Sequence, residues 1–287
     1  MTDSAERVHL PRRGLRMPDP KADRGSDPEG RAEFERLAAV ARLAEDRGFD
    51  SLWVADDAGS GGESRTGPES LFEAYSLLSA LATRTASVGL GALPLGPTVR
   101  SPSIVAKIVT GVDVISHGRA LLALGIDAGD PEAVERLGEE LAIGRALLTE
   151  EESSFQGRFY QLDHAPNRPR PVRAGGIPLL VAADEPAVAA PAARGADGVM
   201  MGGSVAAVKA MVLALDRECE LAGRDRDAVG VIWSGAADPG REGLEDQLRA
   251  MADIGVSGCV LSLVDGYDPN AIGAAGKALL EAAFKED

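Results

Sequence analysis

The chain has 287 residues, of which 45% are hydrophobic and 4% aromatic, and its 45 acidic and 30 basic side chains give a formal net charge of -15. A strongly acidic surface repels nucleic-acid phosphates and anionic lipids, so the composition argues against binding to either. The length suits one large α/β domain that buries most of its apolar surface.

The sequence also gives expectations about compartment and metals. Cys219 and Cys259 are the only cysteines, and neither a secretory leader nor an apolar stretch of about 18 residues occurs. We therefore expect a reduced, cytoplasmic protein that does not enter a membrane. His9, His117 and His164 lack the spacing of metal ligands, so we expect no metal site.

Short apolar runs alternate with amphipathic stretches along the whole chain, which is typical of a parallel sheet covered by helices. The predicted strands are 14–17, 51–55, 86–91, 120–125, 177–182, 198–201, 229–234 and 258–263. The first is the weakest, because Arg and Pro crowd it. Eight such units predict a (β/α)8 TIM barrel. An open, doubly wound sheet is the alternative, but the G-x-G-x-x-G turn expected after its first strand is missing.

The same pattern predicts how the chain is divided. Several helix starts carry a capping residue followed by Pro, as in SPSI at 101 and DPNA at 268. ESSFQGRFYQL alternates in polarity around Gly157, which predicts a short hairpin insertion between the fourth helix and the fifth strand. We expect a single domain over residues 1–287, with a partly disordered N-terminal strand and loop at 1–28.

Function in such a barrel collects at the carboxyl ends of the strands. In MMGGSVAAV a strand runs through Gly202, Gly203 and Ser204 into a helix, where backbone N–H groups and the helix dipole favour an anion. A plain turn with Ser204 as the N-cap explains the motif equally well. Asp184 and Glu185, in the preceding loop, would repel a neighbouring phosphate.

Other features near the strand ends limit the chemistry. GALPLGPTVRSP, at 91–102, is apolar and forms either the wall of a planar ligand pocket or a packed barrel rim. Neither a nucleophile elbow nor a P-loop occurs, which favours a reaction carried by a bound cofactor. The arginines best placed to meet an anionic ligand are Arg65, Arg100, Arg170 and Arg173.

Three segments in the right order resemble the luciferase-like monooxygenases, the bacterial flavin- and deazaflavin-dependent (β/α)8-barrel oxidoreductases. These segments are FDSLWVADD, LGALPLGPTVRSPSIVAKIVTGVDVISHGRALLALG, and the run from LLTEEESSFQGRFYQL to ARGADGVMMGG. The resemblance implies a coenzyme F420 or FMN ring at the barrel mouth, exchanging hydride with a small organic substrate or, with FMN, supporting monooxygenation. It also implies a homodimer.

The resemblance assigns binding roles as well. Ring contacts would come from Gly91, Ala92 and Leu93, where the family often has a non-prolyl cis peptide bond. The phosphate would be held by Ala182 and Ala183 together with Gly202, Gly203 and Ser204.

The ligand loops depart from the family pattern. Asp56 and Asp57 replace an Asp-His pair, and GIDAGD and AADEP replace Gly-rich turns. Asp57 then stands as the catalytic proton donor or acceptor beside the ring, or as a solvated loop acid. The alternative function is that of a relative that has lost its cofactor and serves as a non-catalytic binding or partner subunit.

Overall fold

The computed structural model describes residues 10–19, 30–56, 72–97, 100–173, 175–239, 243–282 and 284. Within these ranges the strands are β1 Arg13–Arg16, β2 Ser51–Asp56, β3 Gly89–Pro94, β4 Ala120–Gly125, β5 Ser153–Gln156, β6 Gln161–Ala165, β7 Leu179–Ala182, β8 Gly198–Met201, β9 Gly230–Ala237 and β10 Gly258–Leu263. The α-helices are α1 Arg31–Asp46, α2 Ala74–Ala82, α3 Pro102–Ile115, α4 Ala133–Thr149, α5 Ala189–Gly195, α6 Val205–Ala222, α7 Leu244–Asp253 and α8 Pro269–Glu281.

Eight parallel strands close into a barrel in the order β1-β10-β9-β8-β7-β4-β3-β2. The predicted (β/α)8 TIM barrel is confirmed, including the weak first strand. Because all eight strands run in the same direction, their carboxyl ends meet at one rim, which we call the mouth. Over the described part of the chain, no helix is both long and apolar enough to span a membrane.

The third strand lies about three residues later than predicted, at Gly89–Pro94 instead of 86–91. The backbone N–H groups of Ala86 and Val88 donate to the Glu45 carboxylate, at 3.0 and 3.1 Å, and not to a neighbouring strand. This shift matters for the site, because it places Leu93 inside the sheet and Pro94 at its end.

A two-stranded antiparallel hairpin, β5 and β6, lies between α4 and the fifth barrel strand, β7, in the interval where the sequence predicts one. Its turn is held against α4 by the Glu139 carboxylate, which accepts the N–H groups of Phe159 and Tyr160, each at 3.0 Å. Arg136 stacks on the Phe159 ring at 4.8 Å. These contacts fix the position of Tyr160.

The core has two layers, as alternation along the strands requires. The larger layer lies between the strands and the helices. The smaller one fills the barrel interior and consists of Trp53, Leu93, Leu121, Ala123, Leu180, Met200, Ile232 and Val260. Trp53 is fully buried and pairs in register with Gly91, where a Cβ would lie 2.4 Å from the indole.

Replacing Gly91 by Ala should therefore overpack the barrel interior and lower the free energy of unfolding by about 1–3 kcal/mol. Gly111→Ala is the matched control, because its Cβ would meet nothing within 4 Å on helix α3. That change should raise stability by roughly 0.5–1 kcal/mol. Urea denaturation measures both, and equal stability of the two variants would contradict the packing argument.

Candidate active site at the barrel mouth

A cavity of about 1050 Å³ opens at the carboxyl ends of β3, β4, β7, β8 and β9. Its lining is mostly apolar or small and includes the acidic residues Asp127, Asp184 and Glu185. The described residues that line it are Leu93, Pro94, Leu95, Gly96, Pro97, Ile126, Asp127, Ala128, Gly129, Ala182, Ala183, Asp184, Glu185, Met200, Met201, Gly202 and Ser234. The apolar segment 93–97 thus forms one wall of a pocket large enough for a cofactor ring system.

The three residues proposed to contact a ring occupy different places. Leu93 lines the cavity, whereas Gly91 lies deeper, against Trp53. Ala92 faces the opposite way and packs in the outer core beneath the helices. Among the described residues the only cis peptide bond is Arg168-Pro169, so the non-prolyl cis bond expected at 91–93 is not present.

Only some of the predicted phosphate-binding residues line the cavity. Ala182, Ala183 and Gly202 line the cavity. Gly203 adopts a positive φ of 94°, and its carbonyl accepts the indole N–H of Trp233 at 3.1 Å. The Ser204 hydroxyl accepts the N–H of Ala207 at 3.3 Å, so Ser204 is the N-cap of α6.

Acidic groups dominate the polar part of the mouth. The carboxylate of Asp184 accepts the N–H of Gly202 at 2.7 Å, directly beside the turn between β8 and α6. Asp127 and Glu185 also line the cavity, and its described lining includes no Lys, Arg or His. One backbone donor of the predicted anion position, the Gly202 N–H, is therefore bonded to a carboxylate of the chain itself.

Asp57 lies outside the described residues, as does Arg65. Asp56, the residue before Asp57, ends β2 and is paired with Arg100. The two terminal nitrogens of Arg100 donate to the Asp56 carboxylate oxygens at 2.7 and 3.2 Å. Arg100 also donates to Glu73 at 2.9 Å and lies 5.3 Å from the centre of the Tyr75 ring. Arg100 is thus paired with two carboxylates of this chain, which argues against a role in binding an external anion.

The other two candidate arginines are not among the residues that line the cavity. Arg170 donates a hydrogen bond to the Thr149 carbonyl at the C-terminal end of α4. Arg173 lies in the segment that leads into the amino end of β7. The mouth is formed by the carboxyl ends of the strands, at the opposite end of the barrel.

A smaller pocket of about 400 Å³ adjoins the mouth and shares Pro97, Ile126 and Asp127 with it. Its wall carries Glu140, a buried residue of α4, which accepts the Tyr160 hydroxyl at 2.8 Å. Burial raises the pKa of Glu140 to about 7, against the lowering effects of the Tyr160 hydrogen bond and the charge of Arg136.

No sequence motif singles out Glu140. The signal that could have found it is its place on α4, where it shares the buried face with Leu137, Leu141 and Gly144. A carboxyl group on the apolar face of a helix needs a partner or a proton. Here it has both the Tyr160 hydroxyl and a raised pKa.

The chain matches the luciferase-like monooxygenase family over residues 17–256. It is 28% identical to the 5,10-methylenetetrahydromethanopterin reductase of Archaeoglobus fulgidus over 273 residues, covering 89% of this chain and 77% of that protein. It is 31% identical over 176 residues to an F420-dependent glucose-6-phosphate dehydrogenase of Kineococcus radiotolerans, covering 57% and 51%. It therefore spans only about half of the latter relative.

The solved structure of the coenzyme F420-dependent tetrahydromethanopterin reductase of Methanopyrus kandleri superposes with a TM-score of 0.73. The sequence identity is 16%, and the superposition covers 96% of this chain and 100% of that one. The likeness is one of fold, a closed barrel of eight parallel strands. The chain belongs to the luciferase-like monooxygenase family, as its sequence motifs predict.

Glu140 gives a stability effect with a defined pH range. Its folded-state pKa of about 7 lies above the ordinary value of 4.5, so the group's stabilising contribution is complete below pH 4.5 and is lost as the pH rises to 7. Relative to Glu140→Gln, the wild-type free energy of unfolding should fall by about 3 kcal/mol over this range. Urea titrations at several pH values measure the difference.

Glu151→Gln, at an exposed position, is the control and should show no such trend. A difference between wild type and Glu140→Gln that stays constant with pH would refute the raised pKa.

Proposed function

We propose that the chain is a flavin- or deazaflavin-dependent oxidoreductase. It would transfer a hydride to or from a small organic substrate, or carry out monooxygenation if the cofactor is FMN. The observation that carries this proposal is the cavity of about 1050 Å³ at the mouth, with its apolar wall at 93–97. Family membership and the relatives whose names specify F420 support it.

The cavity fits the two ends of such a cofactor unequally. Leu93, Leu95 and Met200 offer apolar surface and space for a planar ring. The loop expected to hold the phosphate fits poorly, because the Gly202 N–H already bonds to Asp184. The residues present therefore support binding of the ring more strongly than binding of the phosphate.

When bound, a flavin or deazaflavin would supply hydride transfer, and FMN also oxygen activation. The residues of the chain would orient the ring and handle protons. Arg100 neutralises Asp56, so the proton donor or acceptor we propose at the end of β2 is Asp57. The hydrogen-bonded pair of Glu140 and Tyr160 can hold a proton near neutral pH in the adjoining pocket.

A second candidate function is a family member without a cofactor, acting as a binding or partner subunit. The Asp184 carboxylate on Gly202 is the observation that favours it, because it occupies one backbone donor of the predicted anion position and adds negative charge there. The two candidates differ in whether the cavity binds an isoalloxazine at all.

Titration of the purified protein with FMN and with coenzyme F420, followed by ligand fluorescence, distinguishes the two functions. We expect saturable binding of at least one of them. Leu95→Glu should weaken that binding at least about tenfold, because a carboxylate in the apolar wall would be desolvated by the ring. Leu221→Glu, at a position that is 70% exposed on α6, is the control. Absence of saturable binding of FMN, coenzyme F420 and riboflavin alike would favour the partner-subunit function.

We also propose a cytoplasmic location and a homodimer. The two cysteines are free and buried, which supports a reducing compartment. Support for the dimer comes from an apolar stripe on α3, where Ile104 and Ile115 are 52% and 46% exposed on the same face as Ile108.

The paired change Ile104→Glu and Ile115→Glu should convert the dimer to a monomer, because two carboxylates would be buried without partners. Light scattering coupled to size-exclusion chromatography measures the mass. Leu213→Glu, at an equally exposed position of α6, should leave the mass unchanged. A wild-type monomer, or a dimer that survives the paired change, would rule out α3 as the interface.

A further inference from the structure

The Asp184 carboxylate at the mouth leads to a statement about which ligand the cavity selects. We propose that the mouth binds an isoalloxazine with a neutral, unphosphorylated ribityl chain in preference to its 5′-phosphorylated form. This inference rests on the proposed function, since it requires that the ring occupies the cavity.

The first support is that one backbone donor of the turn, the Gly202 N–H, is already in use. Asp184 accepts the Gly202 N–H at 2.7 Å, and its two carboxylate oxygens lie 3.6 and 3.9 Å from the point where a Cβ on Gly202 would be. The carboxylate thus covers the open face of this glycine. A phosphate oxygen could reach the Gly202 N–H only by displacing it.

Two acceptors in the next turn residues are also bonded within the chain. Trp233 donates its indole N–H to the Gly203 carbonyl at 3.1 Å, and Ser204 caps α6 through Ala207. These bonds hold the strand-to-helix turn in place without a ligand. The arrangement matches the N-cap interpretation of the motif.

Charge is the second support. Asp127, Asp184 and Glu185 all line the cavity, and its described lining contains no cationic side chain. Arg100, at the end of the neighbouring β2, is paired with Asp56 and Glu73. A phosphate dianion placed here would face like charges without a counter-charge from these residues.

A neutral polyol chain suits the same groups. Its hydroxyls can donate to the carboxylates of Asp184 and Glu185, and hydrogen bonds to charged acceptors of this kind are the stronger ones. The Ser234 hydroxyl adds a partner that can donate or accept, and Ala182 and Ala183 leave room for the chain. The polar end of the cavity therefore recognises hydroxyl groups and repels phosphate.

The test compares riboflavin with FMN, which have the same ring and differ only in the phosphate. Dissociation constants are measured by fluorescence for the wild type and for Asp184→Asn. The Asn side chain can still accept the Gly202 N–H through its amide oxygen, so the change removes the charge and keeps the turn. Asp163→Asn, at a side chain that is 92% exposed in the hairpin, is the matched control.

Wild type and Asp163→Asn should both bind riboflavin about tenfold or more tightly than FMN at low salt. Asp184→Asn should tighten FMN binding by about the same factor and change riboflavin binding by less than about threefold. High salt should reduce the wild-type preference, because screening weakens the repulsion.

The outcomes separate this inference from the function on which it rests. FMN binding as tight as riboflavin binding in the wild type would overturn the selectivity and leave the oxidoreductase proposal standing. A preference that Asp184→Asn does not change would overturn the role of Asp184. If riboflavin, FMN and coenzyme F420 all fail to bind, the proposed function itself is wrong.

Discussion

The packing of Trp53 inside the barrel is the constraint on which the rest of the structure depends. Its indole fills the interior at the level of Gly91, donates its N–H to the Ser51 hydroxyl at 3.1 Å, and is fully buried. Two other members of the same interior cluster, Leu93 and Met200, line the mouth cavity. The need for glycine at position 91 follows from this one side chain.

Around the mouth, several charged side chains are paired with other groups of the chain. Asp56 and Glu73 share Arg100, and Asp184 bonds to Gly202. The mouth therefore offers a visiting molecule apolar surface and acceptor oxygens rather than free cations. Glu140 differs from the other acids, because desolvation by burial outweighs the charge of Arg136 and keeps the carboxyl group protonated to near neutral pH.

The fold could be read from the sequence because its signals are local and repeated. Apolar strands alternate with capped helices along the chain. The third strand begins three residues later than its sequence predicts, because the segment at 86–88 bonds to the distant Glu45 carboxylate. The residues that line the site are harder to predict from the sequence. Alternation along β3 turns Ala92 away from the mouth, and the shift of the strand decides which neighbours line it.

Pairings between distant residues were also beyond reach of the sequence. The partners of Asp184, Arg100 and Glu140 lie between 18 and 44 residues away along the chain, and no motif joins them. The acidic character of Asp184 was visible in AADEP, but its bond to Gly202 depends on how the ends of β7 and β8 meet.

The placement of the two tryptophans has an optical consequence. Trp53 and Trp233 are the only tryptophans of the chain, and both lie close to residues that line the cavity. Trp53 packs in the barrel interior with Leu93 and Met200, and Trp233 bonds to Gly203 in the turn after β8. Indole emission overlaps the near-ultraviolet absorption of an isoalloxazine. A ring bound at the mouth would therefore quench the fluorescence of both tryptophans by energy transfer. A fall in intrinsic tryptophan fluorescence would therefore report binding of a ring at the mouth without an added label.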